Sequence, residues 1–158
     1  MLPREAESGS VEILDTLAFL LGGWSLERSI EDHRSGTRGS FSGSAALVWA
    51  GAEPGLAAAR RARYDEAGEL RFGAHAGPAS RHLEYARRDG AAVMIYFADG
   101  RPFTDLDLRG GAWRTVHDCD EDRYEITTIL RSERVVEEHW RVRGPSLSYD
   151  AITTLMRD

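Results

Sequence analysis

Hydrophobic and polar residues follow two different periods along this chain, and the change falls near residue 22. Upstream, Ile13, Leu14, Leu17, Leu20 and Leu21 recur at helical spacing. Ser10 stands where an N-cap belongs, Glu12 and Asp15 sit early, and Gly22-Gly23 offers a stop. The spacing predicts one short helix after a flexible segment over 1–9. Downstream, alternation takes over. Trp24, Leu26, Arg28 and Ile30 oppose Ser25, Glu27, Ser29 and Glu31, and Phe41, Gly43, Ala45, Leu47 and Trp49 share one face of 38–49. Residues 56–64 place Leu56, Ala58, Arg60, Ala62 and Tyr64 together, and Glu66-Ala67-Gly68 reads as a turn. Two weaker strands, 69–75 and 81–87, flank Gly77-Pro78. Val93–Phe97 is apolar on both faces, and Asp99-Gly100 is a hairpin signal. Further strands are expected over 102–108, 113–119, 124–130, 135–142 and 147–156.

About nine or ten short strands with tight connections predict an all-β protein. A helix running into a glycine-tryptophan strand start favours an antiparallel up-and-down β-barrel over a sandwich. No proline- or serine-rich stretch divides the chain, so residues 10–158 are read as one barrel domain. Barrels of this size can enclose one small ligand.

The more apolar face of each strand should point inward, which makes polar residues on that face informative. Arg28 lies between Leu26 and Ile30, and Arg60 shares its face with Tyr64. Tyr85 accompanies Leu83; Trp113, Thr115, His117 and Cys119 run together; Tyr124 accompanies Ile126. Glu138 lies with Val136 and Trp140, and Tyr149 with Ala151. The candidate cavity is therefore lined by Arg28, Arg60, Tyr64, Tyr85, Trp113, Tyr124, Trp140 and Tyr149, with His117 and Glu138 as candidate acid–base groups. An arginine facing a dry interior needs a partner. Glu138 could supply it, or an anionic ligand gripped by two parallel hydrogen bonds could. Asp105 and Asp107 oppose Leu106 and Leu108 and read as a solvated face.

Composition narrows the chemistry. The net charge of −6 argues against a binder of nucleic-acid phosphates. All 20 basic residues are arginine, which excludes Schiff-base catalysis and a P-loop lysine. The single Cys119 excludes an internal disulfide, and its acidic neighbours disfavour a thiolate nucleophile. His117-x-Cys119 supplies too few ligands for zinc, so no metal and no cofactor is expected. The acidic N-terminus is not a signal peptide, and Leu17–Trp24 is too short to span a bilayer, so a cytoplasmic protein without membrane contact is expected. A homodimer stays open.

Gly22-Gly23-Trp24 after a short helix, with Arg157 closing the last strand, resembles the calycin pattern of lipocalins, fatty-acid-binding proteins and nitrobindins. That resemblance implies that the tryptophan packs against the terminal basic residue. Most of the chain is also similar to an uncharacterised bacterial, mostly actinobacterial, family. The similarity is carried by Phe97 to Phe103, Asp105 to Leu108, Trp113, His117-Asp118-Cys119, Asp122, Tyr124 and Trp140 to Pro145. Thr104 departs from it, standing where that family often has histidine. The family implies a fold and no activity.

The expected function is a barrel that binds a small, largely apolar molecule, with room on its arginines for an anionic group. A cofactor-free isomerase, cyclase or hydrolase in the same cavity is the alternative, with His117 or Glu138 moving the proton. A nitrobindin-like haem protein is the third reading, with His33, His75, His82, His117 or His139 as axial ligand. A barrel filled by its own side chains, acting as an interaction module, is the fourth.

Overall fold

The computed structural model describes residues 12–50 and 61–158. Helix α1 (Thr16–Leu20) precedes ten strands. They are β1 (Gly22–Asp32), β2 (Arg38–Trp49), β3 (Arg61–Phe72), β4 (His75–Arg87), β5 (Val93–Phe97), β6 (Pro102–Leu106), β7 (Ala112–Cys119), β8 (Asp122–Ser132), β9 (Val135–Arg143) and β10 (Ser148–Arg157). Consecutive strands pair antiparallel and β1 pairs with β10, giving the order β6-β5-β4-β3-β2-β1-β10-β9-β8-β7. This is an up-and-down barrel with one short helix. None of its described helices is long and apolar enough to cross a membrane.

The ribbon curls until its end strands, β6 and β7, approach each other. Among the described residues no backbone ladder joins them. A side-chain hydrogen bond bridges the seam instead: Trp113 Nε1 donates to Asp105 Oδ1 at 3.3 Å, while Arg88, just past β4 and so on β6's own side of the seam, donates through Nη1 to Asp105 Oδ2 at 3.1 Å. Asp105 is thus a tie across the barrel wall rather than part of a solvated face. Asp107 is likewise engaged, by Arg109 at 2.6 Å.

Alternation sorts side chains as period two demands. Trp24, Leu26, Phe41, Leu47, Ala62, Leu83, Val93, Ile95, Ile126 and Val136 form the buried core. The sequence reading departs from the structure in three further places. The helix begins at Thr16, where Asp15 Oδ1 accepts from Ala18 N at 3.2 Å as the N-cap, while Leu14 is exposed. Ser10, its expected cap, lies outside the described residues. Gly22 and Gly23 already belong to β1, with Gly22 at φ +115° making the turn out of the helix.

Glu66-Ala67-Gly68 is not a turn but the middle of β3. Gly43 and Gly68 face each other across β2 and β3, where the backbones nearly touch. A Cβ on Gly43 would stand 2.1 Å from the Ala67 carbonyl oxygen, and one on Gly68 2.2 Å from that of Ser42. These glycines serve close approach in a bending wall. In an ordinary strand, Gly→Ala stabilises by about 0.5–1 kcal/mol. Here Gly43→Ala is expected to reverse sign and cost about 1–3 kcal/mol, read as a lower urea midpoint.

The third departure is Gly77-Pro78, which lies inside β4. The real hairpin is Gly73-Ala74, with Gly73 at φ +59° in the first of two loop positions. β5 pairs only with Leu83–Arg87, so Pro78 occupies a stretch of β4 with one free edge, where its missing N–H costs no ladder bond. Residues 56–60, expected to start the third strand, lie outside the described residues.

Candidate functional site

The two barrel ends differ. At one end α1 is a plug: Leu17 and Leu20 are buried, and Thr16 Oγ1 accepts from Leu108 N at 3.0 Å. Trp24 Nε1 donates to Leu20 O at 2.9 Å. Arg157 lies over the Trp24 ring at 4.1 Å, with Nη1 donating to Leu21 O at 2.9 Å and Nη2 donating to Phe19 O. The stacking implied by the calycin resemblance is therefore present, and it fastens the plug.

At the other end, among the hairpin turns, the barrel holds an open cavity of about 310 Å³. Ile30, Leu70, Phe72, Ala151, Trp140 and Tyr149 form its largely apolar wall; Asp32, Arg28 and Arg81 complete it. Deeper lies a chamber of about 40 Å³, room for roughly one water molecule. Arg28, Arg81 and Trp140 line both spaces. Tyr64, Tyr85, Thr104, Glu138 and Thr153 supply the polar lining of the inner one.

A charged layer divides the two. Glu66, with its side chain 3% exposed, is held by Arg28 through Nη1 to Oε1 at 2.8 Å and Nη2 to Oε2 at 3.2 Å. Arg28 Nε also donates to Thr153 Oγ1 at 2.8 Å, and the Tyr64 hydroxyl donates to Glu66 Oε2 at 2.8 Å. Burial alone would raise the Glu66 carboxyl, but the Arg28 hydrogen bonds and the Arg81 charge outweigh it and hold it below the usual carboxylate range. Burial and the Glu66 charge push the Tyr64 hydroxyl well up, so it stays neutral.

Arg81 is less well served. Its Nε lies 3.0 Å from Glu66 Oε1, but the N–H is not directed at that oxygen and the nitrogen is buried without a hydrogen bond. Its one hydrogen bond among the described residues is a long 3.4 Å contact from Nη2 to Glu66 Oε2. Its guanidinium also lies 5.2 Å over the Trp140 ring. This side chain is 34% exposed, at the floor of the open cavity.

The expected site residues divide. Arg28, Trp140 and Tyr149 line the open cavity, and Tyr64, Tyr85 and Glu138 line the inner chamber. The partner of Arg28 is Glu66, not Glu138. Trp113 belongs to the seam. His117 and Tyr124 pack edge-on to Phe103, at 5.4 and 6.1 Å, and line neither space. By register His117 aligns with Tyr124 and Val142, whereas Glu138 aligns with Thr128 and Trp113. The two candidate acid–base groups are thus four residues apart along the strands, roughly 13 Å. Arg60 lies outside the described residues.

Sequence reasoning missed Glu66 and Arg81. Both signals were present: Glu66 is two residues beyond Tyr64, and Arg81 two residues before Leu83, each on the inward face. The supposed turn removed Glu66 from its strand, and Arg81, placed at the very start of the strand expected over 81–87, was passed over beside Leu83 and Tyr85.

No curated protein matches the chain in sequence. Among solved structures, the S-type phycobiliprotein lyase CPES from Guillardia theta is similar in fold, with a TM-score of 0.64, 10% identity and 90% of each chain covered. A de novo designed fluorescence-activating β-barrel also aligns, with a TM-score of 0.44 and 14% identity, covering 92% of this chain and 100% of that one. Both likenesses are of architecture. In sequence, the profile of a family of unknown function, DUF6314, matches residues 20–157, nearly the whole barrel, and the chain belongs to that family.

Proposed function

We propose that this barrel binds a small amphiphilic anion in the open cavity, with its apolar body against Phe72, Leu70, Ile30 and Tyr149 and its charge on Arg81. The observation that carries the reading is the under-bonded Arg81 guanidinium at the floor of an apolar cavity. A volume of about 310 Å³ lies at the small end of the range for ligand sites, roughly 300–1,000 Å³. Arg28 and Arg81 outnumber Glu66, so the layer carries an excess positive charge when Glu138 is neutral. Guanidinium is the side chain suited to a planar carboxylate or a phosphate.

The barrel architecture shared with the phycobiliprotein lyase is consistent with a guest inside the barrel. The acid–base enzyme retains Glu138 in the inner chamber but not His117 beside it. A haem reading finds no histidine lining either space.

Calorimetric titration with octanoate tests the proposal. Saturable binding is expected, and Arg81→Met should weaken it about 10- to 100-fold, the loss appropriate to a charged hydrogen bond. Octan-1-ol should bind more weakly and respond little to the same substitution. Equal octanoate affinity in wild type and Arg81→Met would remove the anchor.

A further inference from the structure

The inner chamber poses a separate question, because its polar groups are not satisfied by one another. Tyr85 is nine-tenths buried, and its hydroxyl has no hydrogen-bond partner among the described residues, although the ring stacks on Tyr64 at 5.6 Å. Arg81 Nε is buried and unpaired. Glu138 Oε1 accepts from Trp140 Nε1, while the other carboxyl oxygen has no partner, and no cation lies within 4.0 Å of either among the described residues. Arg81 Nε is the one outright buried orphan among the described residues, and the Tyr85 hydroxyl and the second Glu138 oxygen, both without a protein partner, line a chamber from which an occupant can reach them.

The character of the three groups identifies what fits. Glu138 is half-buried and has no ion-pair partner, and desolvation pushes its carboxyl up, toward the neutral form, despite the lowering by Arg81 and Arg28. Burial, then the Glu138 charge, pushes Tyr85 up as well, so the phenol keeps its proton. When Glu138 is protonated the chamber presents a carboxylic acid O–H, a phenol O–H and a guanidinium N–H, all donors. Such a set takes an acceptor oxygen, as when a protonated carboxylic acid and a tyrosine together hold an oxyanion. An ammonium or amine has no place there.

We infer that the inner chamber is a subsite for one acceptor oxygen of the ligand, a carbonyl or carboxylate oxygen, hydrogen-bonded by Glu138, Tyr85 and Arg81. The inference rests on reading the open cavity as a ligand site, and it adds the chemical class of the end that enters first. Arg81 faces both spaces, so one oxygen of a carboxylate occupies the chamber while the other remains on the cavity side of the guanidinium. Tyr85 and Glu138 thereby become specificity-determining residues.

Octanoate binding to wild type, Tyr85→Phe and Glu138→Gln provides the test. Tyr85→Phe keeps the ring stack and should weaken octanoate about five- to tenfold, the loss of one hydrogen bond. Glu138→Gln keeps an acceptor for Trp140 and a donor for the chamber. Wild-type affinity should fall as pH rises through the Glu138 range, while Glu138→Gln should show no such fall. The groups facing Glu138 are Arg28 on β1, Tyr64 and Glu66 on β3, and Arg81 and Tyr85 on β4. Arg81 stays charged, Glu66 stays ionised and the tyrosines stay neutral through that range.

Difference infrared spectroscopy supplies a direct reading. A carboxylic acid C=O band absent from Glu138→Gln should shift when octanoate is added. If octanoate binds in an Arg81-dependent way but Tyr85→Phe is unaffected and the band does not move, the chamber holds only water. The subsite then falls while the cavity reading stands. If octanoate does not bind wild type, or binds without regard to Arg81, the cavity reading itself falls and the subsite with it.

Discussion

Replacing Glu66 by alanine is expected to destabilise the barrel by about 3 kcal/mol at neutral pH, toward the lower end of the roughly 3–5 kcal/mol seen when one member of a buried ion pair is removed. The cost arises from what remains. Arg28, 14% exposed, loses both carboxylate contacts and keeps only Thr153. Arg81 loses its one hydrogen bond, but water reaches a third of its side chain and screens part of the penalty. Glu66→Gln should behave similarly, because the amide keeps the shape and removes the charge between two guanidiniums.

The pH dependence has a definite sign. The Glu66 carboxyl lies lower in the folded state than in the unfolded chain, so its contribution is full above the unfolded value and is lost as pH falls through the folded one. Urea midpoints of wild type and Glu66→Gln should therefore be far apart at neutral pH and converge in acid. A separation that persists below the carboxylate range would mean that the cost is one of packing. The experiment thus isolates the charge that keeps the two arginines in place.

Trp24→Ala should have an effect of about 3–5 kcal/mol, as for other fully buried aromatic residues. Trp24 is 2% exposed, on the first strand, under the plug formed by α1. Its removal takes away the indole N–H bond to Leu20, the surface on which Arg157 lies and an edge contact with Phe19 at 6.2 Å. A five-residue helix has little stability of its own, so α1 depends on these tertiary contacts. The melting temperature should drop by about 10–15 °C for a chain of this length. Trp24→Phe, which retains most of the volume, should lose markedly less. Equal losses in the two variants would show that the hydrogen bond to Leu20 outweighs the packing.

The barrel was legible in the sequence because alternation survives wherever one face is dry and the other wet. β1, β2, β7, β8, β9 and β10 follow their hydrophobic pattern closely. β3 and β4 did not read cleanly, and their glycines and proline explain why. Gly68 and Gly77-Pro78 carry the composition of turns, yet Gly68 permits two backbones to approach and Pro78 occupies a free edge. Both positions resist interpretation from local preference, because the reason for each lies on a neighbouring strand or in its absence. The same misreading hid Glu66 and left Arg81 at what looked like a strand end rather than in the middle of β4. Arg28 was identified, but its partner was not, since pairing across β1 and β3 depends on strand order as well as on face.

The seam gives this barrel an adjustable girth. Closing a cylinder with a full set of backbone bonds would fix its circumference, whereas here the circuit is completed between β6 and β7 by the indole of Trp113 and the carboxylate of Asp105. Side-chain ties can lengthen or break without unzipping a ladder. The wall can therefore yield along this line to a bulkier guest, at the expense of one half-buried hydrogen bond, while the eight strands between β6 and β7 keep both of their paired edges and the arginine layer keeps its place.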